Sequence, residues 1–478
     1  MRIEPDVCHK ALATHDARFD GQFFVGVTST RIYCRPVCRT RKVKRENCRF
    51  YPSAAAAEAA GFRPCLRCRP ELAPGHASVD ASRRVARAAA SLIEDGTLTN
   101  SNLAGLAARL GVTDRHLRRV FGEAFGVTPV AYAQTQRLLL AKRLLTDTAL
   151  PVTEVAMAAG FGSLRRFNTL FRERYRMQPR GLRKTPEAAA RSKLKFALAY
   201  RPPYAWEAQL AFLAARTTEG VEAVTGKRYL RTVAIEREGK LHNGWITVSH
   251  RVQRHMLEAT LSESLARVIP ETLSRVKHLF DLGAQPEQIA SALGKLAAAR
   301  PGLRVPGAFD GFEMAVRAVL GQQITVAAAS TLAGRIARAF GEPIETPFKG
   351  LTQIFPTPDR LAAASGDELG HLGVVRSRQR AIFALAEGCA RGKLVLSPNV
   401  NVEEMLEKLR ALPGIGEWTA QYIAMRALAW PDAFPHTDHG IKKALGETSP
   451  RRILAIAEQW RPWRAYAAIY LWNGAHLL

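Results

Sequence analysis

Six of the seven cysteines in this 478-residue sequence lie in its first 68 residues (Cys8, Cys34, Cys38, Cys48, Cys65 and Cys68), and only Cys389 lies elsewhere. Cys34 and Cys38 form one close pair in CRPVC. Cys65 and Cys68 form another in CLRC. Two such pairs separated by a loop offer four thiolates, the usual set for one closed tetrahedral Zn2+. A segment of about 70 residues also needs such a staple to fold by itself. Four unrelated buried thiols would be the competing explanation, and two tight pairs in one small basic segment argue against it. Cys8 and Cys48 have no spaced partner and are expected as small buried hydrophobes.

A second set of chemically able residues closes the chain. Leu412-Pro413-Gly414-Ile415-Gly416 opens an expected helix over 417–427. A Gly-rich turn ahead of a helix presents backbone N–H groups at the positive end of its dipole, which suits a phosphate. An ordinary loop reads the same way. PDAFPHTDHGIKKAL then places one carboxylate, Asp438, beside His439 and Lys442. Asp438 also suits the N-cap of a helix over 440–445. Trp460, Trp463, Tyr466, Tyr470 and Trp472 follow, with Trp460 and Tyr466 expected in the core.

The charge balance names the partner class. Lys and Arg number 69 against 42 Asp and Glu, a net +27 with a pI near 10.4. Residues 1–193 hold 34 basic and 16 acidic residues, or +18, leaving +9 for the rest. A surplus spread this widely points to a polyanion, most often nucleic acid. There is no run of 18 apolar residues to span a membrane. The N-terminus MRIEPDVCHK lacks an apolar signal core, so secretion is not expected. At 47% hydrophobic residues the chain is not a disordered one.

Residues 1–78 are Cys- and Arg-rich and end in Pro/Gly punctuation. Residues 79–185 read as nearly continuous helices, and 186–193 as a linker. Residues 194–300 contain strand-like alternation (Leu230-Val233-Ile235, Trp245-Ile246-Val248) with a turn expected at His242-Asn243-Gly244, then helix from 256. Residues 301–478 read as helical. Within 79–185 a pattern repeats after 50 residues: Phe121-x3-Phe125-x3-Pro129 returns as Phe171-x3-Tyr175-x3-Pro179. Each copy is preceded by a glycine (Gly111, Gly160) and a cap candidate (Thr113, Ser163), as two helix–turn–helix units require.

FVGVTSTRIYCRPVCRTRKVKRENCRFYPSAAAAEAAGFRPCLRCRP resembles the N-terminal zinc domain of the Ada methyltransferase family over residues 8–72. The resemblance implies one zinc held by Cys34, Cys38, Cys65 and Cys68. It also makes Cys34 the acceptor of a methyl group from a DNA methyl phosphotriester, once per molecule. Methylation would remove a negative charge and tighten DNA binding. Arg35, Arg39, Arg41, Lys42, Lys44 and Arg45 crowd the first cysteine pair and suit a phosphate backbone.

LAARLGVTDRHLRRVF and VAMAAGFGSLRRFNTLF resemble the two helix-turn-helix units of AraC-type regulators. The resemblance puts the second helix of each unit in a major groove. Arg115, His116, Arg118 and Arg119 lie on the first such helix, and Arg165, Arg166 and Asn168 on the second. Any one of them is as apt to touch phosphate as a base. Leu110, Leu117, Val120 and Phe121 are core by spacing.

RPPYAWEAQLAFLAART, RPGLRVPGAFDGFEMAVRAVLGQQITVAAA and LPGIGEWTAQYIAMRAL resemble the AlkA-type 3-methyladenine glycosylases of the helix-hairpin-helix superfamily. The likeness runs from about Tyr200 to Trp472. It implies Asp438 as the catalytic acid and Trp418, Tyr422 and Trp472 as base-stacking aromatics. Gly414 and Gly416 become hairpin contacts to DNA, and Gln323 stands where the family has a wedging leucine. Bifunctional relatives have a Schiff-base Lys where this chain has Trp418, so strand cleavage is not expected. The PCHR motif of an O6-alkylguanine transferase is absent.

The sequence therefore reads as a multidomain, mainly α protein. A small α+β zinc domain (1–78) precedes a tandem helix-turn-helix (79–185). A linker (186–193), an α+β AlkA-like N-terminal domain (194–300) and all-α helix-hairpin-helix glycosylase domains (301–478) follow. The expected activity is a monofunctional glycosylase for alkylated, cationic purines joined to a methyl acceptor and transcription regulator, with no organic cofactor. The alternative is a regulator whose C-terminal half only clamps DNA. Expected partners are double-stranded DNA, alkylated and promoter, and RNA polymerase. A monomer associated with a bacterial nucleoid in the cytoplasm is expected.

Overall fold

A computed structural model of the chain describes residues 4–39, 43–74, 84–94, 96, 103–182, 194–398 and 400–474. The expected linker and two of the basic residues near the first cysteine pair, Arg41 and Lys42, lie outside them. The chain divides into two compact units. One comprises Met1–Pro202, Arg251–Ser274 and Leu282–Ala284, and the other comprises Pro203–His250, Arg275–Asp281 and Gln285–Leu478. The architecture is the expected one: several domains, mainly helical, with small sheets.

The first unit opens with helix α1 (Pro5–Ala13) and a four-stranded sheet of β1 (Phe24–Val27), β2 (Ile32–Cys34), β3 (Cys48–Tyr51) and β4 (Arg63–Pro64), ordered β3-β1-β2-β4. β1 is antiparallel to β2 and β3, and β2 is parallel to β4. That parallel pairing matters for chemistry. It aligns Tyr33 with Pro64, and the Cys65 N–H donates to the Tyr33 carbonyl at 3.0 Å. The last residue of one strand, Cys34, is thus set beside the residue following the other. Helix α2 (Ala54–Ala59), capped by Ser53, packs with Phe24, Tyr33 and Phe62. Cys8 and Cys48 are each 1% exposed in an apolar cluster with Leu12, Phe23 and Val25, as expected, and burial raises both thiol pKa values, that of Cys8 to about 11.

Helices α3 (Arg84–Glu94), α4 (Leu103–Arg109), α5 (Asp114–Phe125), α6 (Pro129–Asp147), α7 (Val152–Ala158) and α8 (Leu164–Tyr175) follow. The repeat is real in three dimensions. Gly111 and Gly160 turn the chain at φ +68° and +81°. Thr113 then caps α5 and Ser163 caps α8 through their side-chain oxygens. Leu117, Phe121 and Phe125 are buried in one copy, and Phe167, Phe171 and Tyr175 in the other. Leu110 and Val120 are partly buried against the same core.

The long helix α6 carries buried polar contacts to α2 and to the loops after the four-stranded sheet. The Thr135 hydroxyl and the Tyr33 hydroxyl both donate to Glu58, each at 3.0 Å. Lys142 pairs with Glu71 at 2.7 Å, both side chains 2% exposed, and Arg69 pairs with Asp147 at 2.8 Å. The unit ends with two antiparallel strands, Leu194–Ala199 and Met256–Leu261. The second corrects the expected helix from 256. MLEATL alternates buried and half-buried positions with period two, which is a strand pattern.

The second unit holds a meander of strands Glu222–Thr225, Arg228–Arg237 and Lys240–Arg251. Its tight turn is Glu238-Gly239, with φ +56° and +72°, not His242-Asn243-Gly244. A two-residue hairpin with positive φ at both positions matches strand twist, and the Gly satisfies it. Asn243 and Gly244 instead pair within the sheet with Ala234 and Val233. Helices α9 (Gly311–Leu320), α10 (Val326–Phe340), α11 (Val402–Arg410), α12 (Glu417–Arg426), α13 (His439–Leu445) and α14 (Arg464–Trp472) build the helical part. Trp460 and Tyr466 are buried, as expected. No helix among the described residues is long and apolar enough to cross a membrane.

Candidate metal centre and catalytic cleft

The four spaced cysteines converge. The Sγ atoms of Cys34, Cys38, Cys65 and Cys68 all lie within 4.8 Å of one another, three of the residues buried and Cys68 half-buried. A tetrahedral zinc with bonds of about 2.3 Å needs sulfurs about 3.8 Å apart, so the cluster fits that ion. The thiols disturb one another in opposite directions. Hydrogen bonds from Cys38, then Cys65 and Cys68, push Cys34 well up, whereas hydrogen bonding with Cys34 first draws Cys38 and Cys65 down. A set this close sheds all its protons only when a cation replaces them. The Arg35 N–H points at Cys68 Sγ from 3.4 Å.

The basic residues around the cluster divide. Arg35 is not a phosphate ligand. It is 3% exposed, pairs bidentately with buried Asp20 and donates to the Cys68 carbonyl at 3.1 Å. A planar fork buried beside the metal ligands holds the loop together. Arg39, Lys44 and Arg45 are exposed, with Arg45 3.2 Å from Asp6 and over the Phe50 ring.

The groove-facing candidates are on the surface. Arg115, His116, Arg118 and Arg119 are exposed on α5, and Arg165 and Arg166 on α8, where Asn168 is half-buried. Arg118 and Arg119 pair with Asp114 and Glu123 one turn away at 3.1 and 2.8 Å. Such exposed pairs are worth little and exchange readily for phosphate.

In the second unit a cleft of about 1080 Å³ is lined by Trp418, Tyr422, Asp438, His439, Trp472, Gln323, Gly414 and Gly416 among others. It thus gathers the catalytic, stacking, wedge and hairpin candidates of the C-terminal half. Asp438 is the N-cap of α13, its Oδ1 accepting the Ile441 N–H at 3.1 Å. The indole N–H of Trp472 donates to the same oxygen at 2.8 Å, and that of Trp418 donates to Oδ2 at 2.9 Å. Trp418 stacks on Tyr422, with centroids 5.2 Å apart and planes 9° apart, while Trp472 is tilted by 52° at 6.1 Å.

Below the aromatics lies a buried arginine. Arg426 donates to the Tyr422 hydroxyl at 2.7 Å and to the Pro306 and Gly307 carbonyls. Burial raises the Tyr422 phenol pKa, but the charges of Arg426, Arg216 and Arg317 outweigh it and lower it overall. Nothing in the spacing of Arg216, Arg317 or Arg426 marked them beforehand.

Gly414 has φ +77°, and an added Cβ would come 3.2 Å from the Ala381 Cβ. Gly416 N-caps α12 without a side-chain bond, leaving the first N–H groups open. Gln323 is exposed at the cleft with φ +55°, a left-handed backbone that costs a non-glycine residue roughly 1 kcal/mol. Its neighbour secures it. Gln322 Nε2 donates to the Gly414 carbonyl at 2.8 Å and to the Thr419 hydroxyl at 2.9 Å, and Arg378 donates to the Gln322 carbonyl. Sequence reasoning passed over Gln322, although it adjoins the wedge position.

Four families match the chain in succession. The metal binding domain of Ada matches residues 7–71 and a helix-turn-helix domain matches 106–185. The AlkA N-terminal domain matches 195–310, and the HhH-GPD superfamily of base excision DNA repair proteins matches 316–450. The chain is 39% identical over 489 residues to a Mycobacterium tuberculosis protein named probable bifunctional transcriptional activator/DNA repair enzyme AlkA, covering 99% of this chain and 97% of that one. It is 40% identical over 277 residues to DNA-3-methyladenine glycosylase 2 of Escherichia coli, covering 58% of this chain and 96% of that one. It is 38% identical over 154 residues to the Escherichia coli bifunctional transcriptional activator/DNA repair enzyme Ada, covering 32% of this chain and 41% of that one.

Proposed function

Since the chain belongs to the family of bifunctional transcriptional activator/DNA repair enzymes AlkA, we propose that it couples alkylation sensing to excision of alkylated bases. Residues 194–478 act as a monofunctional N-glycosylase on cationic purines such as 3-methyladenine. Residues 1–78 hold one zinc and accept a methyl group at Cys34, and residues 79–185 bind promoter DNA and present it to RNA polymerase. The protein works as a monomer on cytoplasmic DNA.

The chemistry asked of the cleft is modest. A 3-alkylated purine already carries positive charge, so the bond from its nitrogen to C1′ breaks with the electron pair passing to the base, which leaves neutral. Water adds at C1′ and gives up a proton. The duplex must first yield the nucleotide, which Gln323 assists by occupying the gap and the α12 N-terminus assists by holding phosphate. The faces of Tyr422, Trp418 and Trp472 hold the cation, each contact worth about 0.5–2 kcal/mol. The Asp438 carboxylate faces the sugar as positive charge develops there. In the zinc domain the metal would keep the Cys34 sulfur deprotonated and nucleophilic.

The observation that carries this reading is one carboxylate in a cleft of about 1080 Å³, roomy enough for a flipped nucleotide and lined by three aromatic rings. Incubation with methylated DNA should release free 3-methyladenine, and Asp438→Asn should abolish release without loss of DNA binding. A wild type that binds but releases nothing would instead make the C-terminal half a DNA clamp. Labelled methyl from phosphotriester DNA should appear on Cys34, and label on another residue would overturn that assignment.

A further inference from the structure

The two indoles beside Asp438 meet it edge-on. Trp418 gives its N–H to Oδ2 at 2.9 Å and Trp472 gives its N–H to Oδ1 at 2.8 Å. An indole nitrogen is a donor only, so neither bond can run the other way. Trp418 also has one ring face covered by Tyr422, the planes being 9° apart. Only its opposite face is left for a base. Tyr422 gives up one face to the same stack and has the Arg426 guanidinium 5.5 Å from its ring centroid, so Trp472, tilted to Tyr422 by 52°, is the ring freer to receive one.

Gly440 supports the same arrangement. A Cβ there would lie 3.0 Å from Trp472 Cδ1 and 3.1 Å from Asp438 Oδ1. The position after His439 is thus open because the indole and the carboxylate meet in front of it. With the Ile441 N–H on Oδ1 as well, the carboxylate has donors on both oxygens and one set rotation.

We propose that Trp418 and Trp472 are positioning residues, whose N–H groups fix both oxygens of the Asp438 carboxylate toward the sugar. This rests on the glycosylase reading and adds a task separate from stacking. Stacking uses the ring face and should act mainly on substrate affinity. Orientation uses the ring edge and should act on the chemical step.

The test replaces edge while keeping face. Trp418→Phe and Trp472→Phe retain an aromatic ring and lose the donor. With methylated DNA as substrate and free 3-methyladenine as readout, each should lower kcat about tenfold. The double variant should lose about a hundredfold, and KM should stay within about twofold of wild type. Gly440→Ala should lower kcat in the same way with every ring intact. In case the smaller ring disturbs packing, 3-benzothienylalanine introduced at 418 or 472 keeps the bicyclic shape and replaces N–H with sulfur. It should behave as the Phe variant does. Wild-type kcat in the benzothienyl protein, or a raised KM with unchanged kcat in the Phe variants, would overturn the proposal. A wild type that releases no base would remove the glycosylase reading instead, a different result from active variants.

Discussion

Glu58 offers a quantitative check on how the zinc domain and α6 fit together. Its carboxyl is wholly buried and accepts from Tyr33 and Thr135. Burial pushes its pKa from the ordinary 4.5 to about 7, against the pull of those two hydrogen bonds and of the Arg174 and Lys142 charges. The folded protein therefore holds this proton more tightly than the unfolded chain. Stability is complete below about pH 4.5 and is lost as pH rises toward 7. At 1.36 kcal/mol per pH unit the full loss is about 3 kcal/mol above pH 7. Between pH 6 and pH 8.5 about 1 kcal/mol of it remains to be lost.

Glu58→Gln cannot ionise, so that part of the pH dependence should vanish. The assay is urea unfolding of the zinc-loaded protein, followed by zinc release into a chelating dye, at pH 6 and pH 8.5. Wild type should lose about 1 kcal/mol more than the variant between the two. Thiolate protonation affects both proteins alike and cancels. Zinc release is the readout because all seven tryptophans lie at or beyond Trp206, in the second unit, away from the cysteine cluster in the sequence. Equal pH dependence of zinc release in the two proteins would refute the account of Glu58 as a neutral buried acid.

Two further outcomes follow. Arg35→Ala should destabilise the first unit by about 3–5 kcal/mol, because Asp20 is left buried without its cation, while the salt dependence of DNA affinity stays unchanged; a shallower salt slope with intact stability would make Arg35 a phosphate ligand after all. Gln322→Ala removes two hydrogen bonds that tie the wedge loop to the hairpin, and at about 1 kcal/mol each it should slow single-turnover release from duplex DNA by roughly tenfold or more. A lesion placed in an unpaired bulge should largely escape that loss, and equal slowing on both substrates would refute a role in opening the duplex.

What could be read from the sequence was whatever spacing alone encodes. The four cysteines, the two cap-and-glycine repeats and the N-cap at Asp438 each follow from short-range rules, and each is found in place. Asp438 serves as a helix cap and as a cleft-lining acid at once. Long-range pairings were not legible. Arg35 read as one more basic residue because nothing near it announces Asp20, fifteen positions earlier. The Met256–Leu261 strand was lost in a helical stretch, because its six residues are too few to outweigh the neighbouring pattern. The indole bonds to Asp438 join residues 20 and 34 positions away, and no local pattern encodes which edge of a ring faces a carboxylate.

The Lys142–Glu71 pair carries a lesson about recombination. Both groups are sealed from solvent, and although Glu71 also meets Arg69 at 3.0 Å, Lys142 tolerates its position only while Glu71 is opposite. A graft that brings in a foreign N-terminal segment at residue 78 would strand an ammonium group inside the helix that bridges the two DNA-reading units. Homologous pieces can thus be exchanged only if positions 58, 71, 135 and 142 travel as one inherited set. The cysteine domain and the helices after it are separable on paper, yet they have to evolve in step.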